Sequence, residues 1–401
     1  MVKVNLCLWP NMFKLFLSLF ILPFILFGAQ FKVASYNVEN LFDTHKSGFE
    51  YDEYVPNAKS GWNEHMLSIK IKNIAKVIKV LDADIIALHE VENKEVLKRL
   101  NLALGSKKYP YMYTSFNSHR INSVLLSRFP IKSSSTHSLT KRFRPIHKVV
   151  LEIEKKPLTL FINHWPSYKH GNKKRLEYAK ALEKLYKNEK DFILLGDFNS
   201  PFLVNSKGWG GAAAYVSKDN YNLWLEEPFN KRYSYAFFTR RSALDHIIIS
   251  KSILNDETNF SYVTSSFHHF APPYLIDKYK NPKRWQISKK GKGKHKGIGY
   301  SDHLPIVATF STAPNKPITF QQVSIKKLYE TKETRVNFIL KDVMVIDKSK
   351  YGVRIEDKNG ESIYVYRPDD DLSVGEIYTL HVRELADYKG NREIILEKRI
   401  R

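Results

Sequence analysis

The sequence predicts a layered α/β (α+β) domain followed by a small all-β barrel, and three observations carry that expectation. Runs of β-branched and bulky apolar residues, too uniformly apolar for half-exposed strands, alternate with amphipathic helical patterns through most of the chain. Ser311-Thr-Ala-Pro-Asn-Lys-Pro317 then sets two prolines among small polar residues, a linker signature. Beyond it, short strand-like runs separated by Lys, Asn, Asp and Gly turns close the chain. A hydrophobic fraction of 43% with 26% charged residues excludes wholesale disorder.

The elements are read in chain order. Leu15–Phe27 (LFLSLFILPFILF) is almost wholly apolar, preceded by Lys3 and Lys14 and followed by Gly28-Ala29-Gln30. This is the layout of a secretory signal, with Met12 the more typical start. The run is short for a membrane span of ~20 residues, and Pro23 interrupts it. Residues 1–29 are therefore expected to be a signal peptide or, with Phe27 poorly suited to a cut after Ala29, an N-terminal anchor. The expected location is periplasmic or secreted, with no stable membrane association once the signal is cleaved. In the large domain, residues 30–312, FKVASYN, ADIIALHE, LTLFINH, DFILLGDFN, LDHIIIS and DHLPIVATF read as buried strands. Leu67, Ile71, Ile74, Ile78 and Leu81 mark one amphipathic helix, and Leu176, Ala179, Leu182 and Leu185 another. A linker over 313–320 leads to 321–401. There Phe338–Ile346, Gly352–Ile355, Ser362–Tyr366, Ile377–Val382 and Glu393–Leu396 read as five barrel strands.

Charge narrows the partners. Lys and Arg number 64 against 41 Asp and Glu, a net of +23. Residues 315–401 hold 17 basic and 15 acidic residues, so the remaining 47 and 26 leave +21 on the rest of the chain. Such an excess favours polyanions: nucleic acid, anionic membrane or polyphosphate. The single cysteine, Cys7, precedes the folded region, which excludes a disulfide framework, a zinc knuckle and a thiol nucleophile.

The chemistry lies at the strand ends. FKVASYN closes on Asn37 with Glu39 just beyond, DIIALHE on His89-Glu90, LTLFINH on Asn163-His164, and FILLGDFN on Asp197 and Asn199. Asp245-His246 and Asp302-His303 open two later strands. One polar strand end is ordinary turn chemistry; six drawn only from Asp, Glu, Asn and His hold reactive groups on rigid backbone at the core's rim. There is no GxSxG elbow and no phosphate-cradling glycine loop. Hard oxygen donors such as Glu90 and Glu39 suit Mg²⁺, with Mn²⁺ or Ca²⁺ as other hard ions. An Asp/His pair suits a general base. Together these groups describe metal-assisted hydrolysis of a phosphate ester.

The ordered set SYNVENLF, LHEVEN, NHWPS, GDFNS, LDHIIIS and GYSDHLP, over roughly residues 31–310, resembles the endonuclease/exonuclease/phosphatase superfamily. Pancreatic-type deoxyribonucleases, abasic-site endonucleases, sphingomyelinases and inositol phosphate phosphatases belong to it. The resemblance implies a four-layered sandwich, two packed mixed β-sheets flanked by helices, with the site at one sheet edge. It implies Glu90 as the principal Mg²⁺ ligand, with Glu39 and Asp302 near that ion or a second one. By the same resemblance His303 is the water-activating base oriented by Asp245, and Asp197 and Asn199 position the nucleophile and contact the phosphate. Asn37 and His164 resemble phosphate-binding groups, and His164 is alternatively the acid that protonates the leaving oxygen; spacing does not settle which histidine is acid and which is base. His89 stands where the family commonly has glutamine.

Arg144, Tyr168 and Lys173 are further candidates for substrate contact, whereas His268, His269 and His295 read as surface or loop histidines. Residues 278–297 (KYKNPKRWQISKKGKGKHKG) carry nine Lys and Arg, no acid, and the interleaved Tyr279 and Trp285. Placed just before SDHLP, this segment suits phosphate contacts with Trp285 stacking on bases. The C-terminal barrel resembles an OB-fold module, with Tyr351, Arg354, Tyr364, Tyr366 and Arg367 as a stacking platform for single strands. The function expected is an exported Mg²⁺-dependent nuclease on DNA, with RNA the second choice. The alternatives are a phosphatase or sphingomyelinase-like phosphodiesterase on a small or lipid ester, and a non-catalytic nucleic-acid-binding surface protein.

Overall fold

The structure is a computed structural model that describes residues 28–115, 120–202, 211–227, 231–237, 240–289, 292–314, 320–366 and 372–400. The apolar run Leu15–Phe27, linker residues 315–319 and Arg367 lie outside the described residues. Among the described residues no helix is long and apolar enough to cross a membrane.

Along the chain, β1 (Gln30–Leu41) leads to α1 (Glu64–Leu81), β2 (Ile85–Val91), α2 (Lys94–Ala103), β3 (Tyr111–Thr114) and β4 (Asn122–Ser127). Next come β5 (Ile131–His137), β6 (Ile146–Ile153), β7 (Lys156–His164), α3 (Gly171–Tyr186), β8 (Phe192–Asp197) and α4 (Gly211–Ser217). After β9 (Tyr221–Asn222) the paired β10 (Tyr235–Phe237) and β11 (Arg240–Ser242) precede β12 (Asp245–Ile249) and α5 (Lys251–Leu254). β13 (Ser261–Tyr262), β14 (His268–His269) and β15 (Ile306–Ser311) complete this part.

These strands form two sheets, one ordered β13-β15-β1-β2-β4-β3 with β14 also on β15, the other β5-β6-β7-β8-β12-β9. Alternation along each strand decides what it faces. Phe31 and Val33 of β1 join Ile85 and Ala87 of β2 against Val149, Leu160, Ile193 and Ile247 of the second sheet, which makes the core between the sheets. Ala34 and Tyr36 point the other way, with Ile86 and Leu88, onto Leu67, Ile71, Ile74 and Ile78 of α1. On the far side Phe161, Leu194 and Ile248 pack under Tyr178, Ala179 and Leu182 of α3. The result is helix, sheet, sheet, helix: the four-layered sandwich the sequence led us to expect. Asn63 and Asn93 start α1 and α2 by accepting from the Met66 and Val96 backbone N–H groups, satisfying donors each helix leaves open.

The C-terminal part comprises β16 (Gln321–Gln322), α6 (Ile325–Glu330), β17 (Arg335–Ser349), β18 (Gly352–Glu356), β19 (Ser362–Tyr366), β20 (Ile377–Tyr388) and β21 (Asn391–Ile400). β17 to β21 pair in the order β17-β18-β19-β21-β20, and β20 returns to β17, closing a five-stranded barrel. Leu340, Val345, Val353, Ile355, Ile363, Val365, Leu380 and Val382 fill it. β17 and β20 run well past their apolar stretches, with register shifts on the way. On the barrel's outside, Arg354 of β18 faces Tyr364 of β19 across the strand pair. Both line a groove of about 700 Å³ with Tyr329 and Arg392.

Candidate functional site

Topology brings the polar strand ends together. β1 and β2 are parallel, as are β7 and β8, so Asn37, Glu90, His164 and Asp197 all emerge at C-terminal ends. β12 runs antiparallel to β8 with Asp245 opposite Asp197, and β15 runs antiparallel to β1 with Ile306 opposite Ser35. The starts of β12 and β15 therefore lie beside the ends of the others. Backbone contact at this edge is tight. Gly196 has φ +136°, and a Cβ there would lie 2.0 Å from the Asn163 carbonyl oxygen. Only glycine lets β7 and β8 approach closely enough to set His164 beside Asp197.

A continuous set of contacts follows. Asn37 donates through Nδ2 to Glu90 Oε1 and to Asp197 Oδ2, 3.1 Å each. Glu90 Oε2 accepts from the Asn40 backbone N–H at 2.9 Å. His164 Nε2 lies 3.5 Å from Asp197 Oδ2 and 4.0 Å from Glu90 Oε1. His303 Nε2 lies 4.0 Å from Asp197 Oδ2, while its Nδ1 binds Asp245 Oδ2 at 2.7 Å. Asp245 Oδ2 also accepts from Ser234 Oγ at 2.6 Å, and Asp245 is fully buried. Ser301 Oγ donates to the Asn37 carbonyl and accepts from the His303 N–H, tying β1 to the histidine loop. Glu39, Asn40, Glu90 and Asn199 have positive φ, so four non-glycine residues at this edge hold the left-handed region.

Electrostatics match the crowding. Burial, with the charge of Asp245 beside it, pushes Asp197 up to about 7. Burial also raises Asp302, and the charge of Glu90 adds to it. Burial pulls the His303 imidazole down, but Asp245, Asp197 and Asp302 outweigh it and hold His303 well above its ordinary value. Burial opposes ionisation of Asp245, and His303 overrides that, leaving the carboxyl below its ordinary range. Burial, then Arg144, drives His164 well below its ordinary value and keeps it neutral. The two histidines are thus driven in opposite directions, one to hold a proton and one to lack it.

This donor set fits a divalent cation. Glu90 and Asp197 are bridged by the Asn37 amide, and among the described residues no Lys or Arg pairs with either, while Asp302 faces Arg284 Nη2 at 3.7 Å. Hard oxygens short of positive charge are what Mg²⁺ and its relatives bind. Asp197, Asp245 and His303 also bring ligand atoms within 4.8 Å of one another, a group able to hold a metal. Within that triad, however, Asp245 and His303 already bind each other, which favours an orienting pair over two ligands.

Other sequence candidates stand differently. Glu39 is buried with its carboxylate engaged: Oε1 accepts from Arg284 Nε and Nη2, and Oε2 from the Trp285 N–H. Asn199 donates to the Trp165 carbonyl at 3.0 Å, and its N–H binds Asp197 Oδ1 at 2.8 Å. Arg144 donates to the His164 and Trp165 carbonyls, so it braces the loop after β7. Tyr168 is exposed just after β7, and Lys173 is exposed in the first turn of α3. His89 bridges Ser35 Oγ and Ser123 Oγ at 3.1 and 2.9 Å, beneath the ring of His164. Trp285 corrects the expectation of an exposed stacking residue: it is 2% exposed and donates to His295 Nδ1 at 2.8 Å. His295 is corrected with it, being 6% exposed and wedged among Tyr54, Trp62 and Trp285. Alternating lysines hide this apolar anchor, so charge alone misreads the segment as a free loop. Ser234, Tyr235, Arg284 and Lys70 were not singled out from sequence. Tyr235 packs on the His303 ring at 4.9 Å, and the fully buried Lys70 lies 4.9 Å from the Trp285 ring.

Among solved structures, D. rerio TDP2 humanized by 14 mutations is similar at 14% identity, covering 71% of this chain and 99% of that one with a TM-score of 0.47. D. rerio TDP2 complexed with single strand DNA product is 15% identical over 71% and 100%, with a TM-score of 0.47. An endonuclease/exonuclease/phosphatase family protein from Bacteroides thetaiotaomicron is 17% identical over 72% and 99%, with a TM-score of 0.46. No curated protein matches. The family model described as Endonuclease/Exonuclease/phosphatase family matches residues 32–312, from the first strand of the sandwich to the end of its last. With that match running through every strand end that feeds the polar cluster, the chain belongs to the endonuclease/exonuclease/phosphatase family.

Proposed function

We propose that the protein is an exported, divalent-cation-dependent nuclease that hydrolyses phosphodiester bonds of DNA, with RNA the second polymer. The observation that carries the reading is the unbroken contact from Glu90 through Asn37 and Asp197 to the His303–Asp245 pair. In this reading Glu90, with Asp302 beside it, holds the cation. Such a cation would supply Lewis-acid charge at the phosphate and would offset part of the negative charge that Asp197 and Asp302 place beside His303. His303 Nε2 takes the proton of the attacking water, and Asp245 fixes the tautomer by accepting from Nδ1. Asp197 orients that water, Asn199 offers its remaining amide hydrogen to a phosphate oxygen, and Asn37, with both amide hydrogens on Glu90 and Asp197, holds those two carboxylates in place. His164, held neutral, donates one hydrogen bond to the phosphate without adding charge, which favours a binding role over that of the acid.

The preference for a polymer rests on charge. The large domain holds nearly all of the net +23, and Lys278, Tyr279, Lys280 and Lys283 stand at the surface of the basic segment. Counterion release from several phosphate contacts gives sequence-independent, salt-sensitive binding. The Arg354–Tyr364 groove of the barrel is offered as a secondary contact for single strands. Export rests on Lys14 and Leu15–Phe27.

The test is incubation of purified protein with plasmid DNA, bis-p-nitrophenyl phosphate and sphingomyelin, with Mg²⁺ or EDTA. Nicked or linear plasmid in Mg²⁺ alone is expected. Intact DNA beside hydrolysed sphingomyelin would replace this reading with the lipid phosphodiesterase. His303→Ala and Glu90→Ala are expected to abolish turnover while DNA is still retained in a mobility shift. Wild-type rates in both variants would remove the site assignment.

A further inference from the structure

Glu39, near the end of β1, and Arg284, in the basic segment, form one unit. Glu39 lies two residues after Asn37 in the left-handed irregularity near the end of β1, with φ 50°, and the residue is 5% exposed. Three donors reach it: Arg284 Nε at 3.1 Å, Arg284 Nη2, and the Trp285 N–H at 2.9 Å. Lys70, fully buried on α1, adds its positive charge at Glu39, and among the described residues its Nζ has no hydrogen-bond partner. With Arg284 Nε and Nη2 on Oε1 and the Trp285 N–H on Oε2, most acceptor positions of this carboxylate are already filled, which leaves little room for it to ligate a divalent ion.

Arg284 has the complementary character. Its side chain is 57% exposed, yet it is not free to wander, because Nε and Nη2 are both fixed on Glu39. Nη2 lies 3.7 Å from Asp302 Oδ2, which puts the guanidinium on the rim of the carboxylate pocket. Nη1 has no hydrogen-bond partner among the described residues. Trp285, the next residue, is locked into the core by Trp62 and His295, so the backbone beneath Arg284 is rigid. An arginine oriented by a buried acid, with donor capacity left over at the mouth of an anion-processing pocket, has the form of a phosphate clamp.

We infer that Glu39 is a positioning residue and not a metal ligand, and that the Arg284 it holds binds a phosphate group of the substrate at the rim of the site. The inference rests on the phosphodiesterase reading above and deepens it. Glu90 would then hold the ion, and Arg284 would add a fixed protein cation at the rim.

The experiment measures Mn²⁺ binding by calorimetry in substrate-free protein, and KM and kcat on DNA and on bis-p-nitrophenyl phosphate, for wild type, Arg284→Ala, Arg284→Lys and Glu39→Gln. Thermal melts verify that each variant folds. Arg284→Ala is expected to raise KM for DNA about tenfold or more and to lower the magnitude of the slope of log K against log[salt] by about one, with Mn²⁺ affinity within twofold of wild type. Arg284→Lys, which keeps the charge and loses the fork, is expected to restore the salt slope and only part of the KM. Glu39→Gln is expected to raise KM in the same direction with Mn²⁺ affinity retained. A loss of Mn²⁺ affinity beyond tenfold in Glu39→Gln makes Glu39 a ligand and overturns the inference. So does an Arg284→Ala variant with wild-type KM and salt slope. If Glu39→Gln does not fold, the two Arg284 variants still decide. Wild-type protein that leaves DNA intact but cleaves bis-p-nitrophenyl phosphate removes the polymer reading alone, and KM for that ester then decides the Arg284 assignment.

Discussion

His246 shows how burial at a single residue sets a response of the whole protein to pH. The ring is fully buried, with Nε2 donating to the Ser200 carbonyl at 2.8 Å and Nδ1 accepting from Asn222 Nδ2 at 3.1 Å. Both nitrogens are satisfied in the neutral tautomer, and a second proton would face the Asn222 amide. Burial holds the group at about 4, against 6.5 for a free ring. Between those values the unfolded chain binds the proton and the folded state does not. The contribution is therefore complete above about pH 6.5 and is lost as pH falls towards 4. One pKa unit corresponds to about 1.4 kcal/mol, so the loss is on the order of a few kcal/mol. His246→Gln is expected to shallow the fall in unfolding free energy between pH 6.5 and 4; an unchanged slope in urea titrations counts against it. Asp245→Asn tests the neighbouring pair. It keeps the shape but no longer enforces the Nδ1–H tautomer of His303, and kcat is expected to drop about 10³–10⁴-fold with DNA binding retained. At this scale the sequence showed residue types better than their engagements. Asp245 and His303 stood in readable motifs. Nothing in VENLF shows that Glu39 is claimed by an arginine 245 positions away.

Elements were legible where both faces are covered. The sheet-centre strands β2, β7, β8 and β12 are buried along almost their whole length and read as plain apolar runs. The edge strand β5 (IKSSSTH) is mostly exposed and carries no apolar signal, because only its pairing with β6 makes it a strand. The two-residue strands β9, β13 and β14 were illegible for the same reason: tertiary pairing defines them. The β7–β8 pair carries a test at this scale. Gly196→Ala would place a methyl within 2.0 Å of the Asn163 carbonyl at a φ that L-residues avoid. Backbone does not yield cheaply, so a destabilisation of about 1–3 kcal/mol is expected in urea denaturation. Because His164 and Asp197 follow at the ends of these strands, turnover is expected to fall further than stability alone explains. Equal stability and activity in the variant would show that the strands have slack at this edge.

At the scale of the molecule, the barrel is joined to the sandwich close to the reacting groups. Arg383 of β20 pairs with Glu226, their side chains 5% and 2% exposed, and Arg335 of β17 donates to the Leu225 and Glu226 carbonyls. Two residues earlier in the same short turn, Trp224 donates through Nε1 to the Asp245 carbonyl at 2.8 Å. Barrel, turn and orienting carboxylate therefore share one rigid path, although the sequence reading placed a linker between the two parts. The linker signature was real in composition, but charge pairs that form only across a domain contact leave no periodic trace. Removing one partner of a buried pair leaves the other charge without compensation, a cost of about 3–5 kcal/mol. Arg383→Met is accordingly expected to split a single calorimetric unfolding transition into two, the barrel melting first, and to lower kcat by loosening Trp224 behind Asp245. Arg383→Met combined with Glu226→Met removes both charges and is expected to recover much of the stability but not the fixed position of the turn. Two transitions already in the wild type, or a full recovery of kcat in the double variant, would mean that the barrel is merely tethered and that the His303–Asp245 pair stands without it.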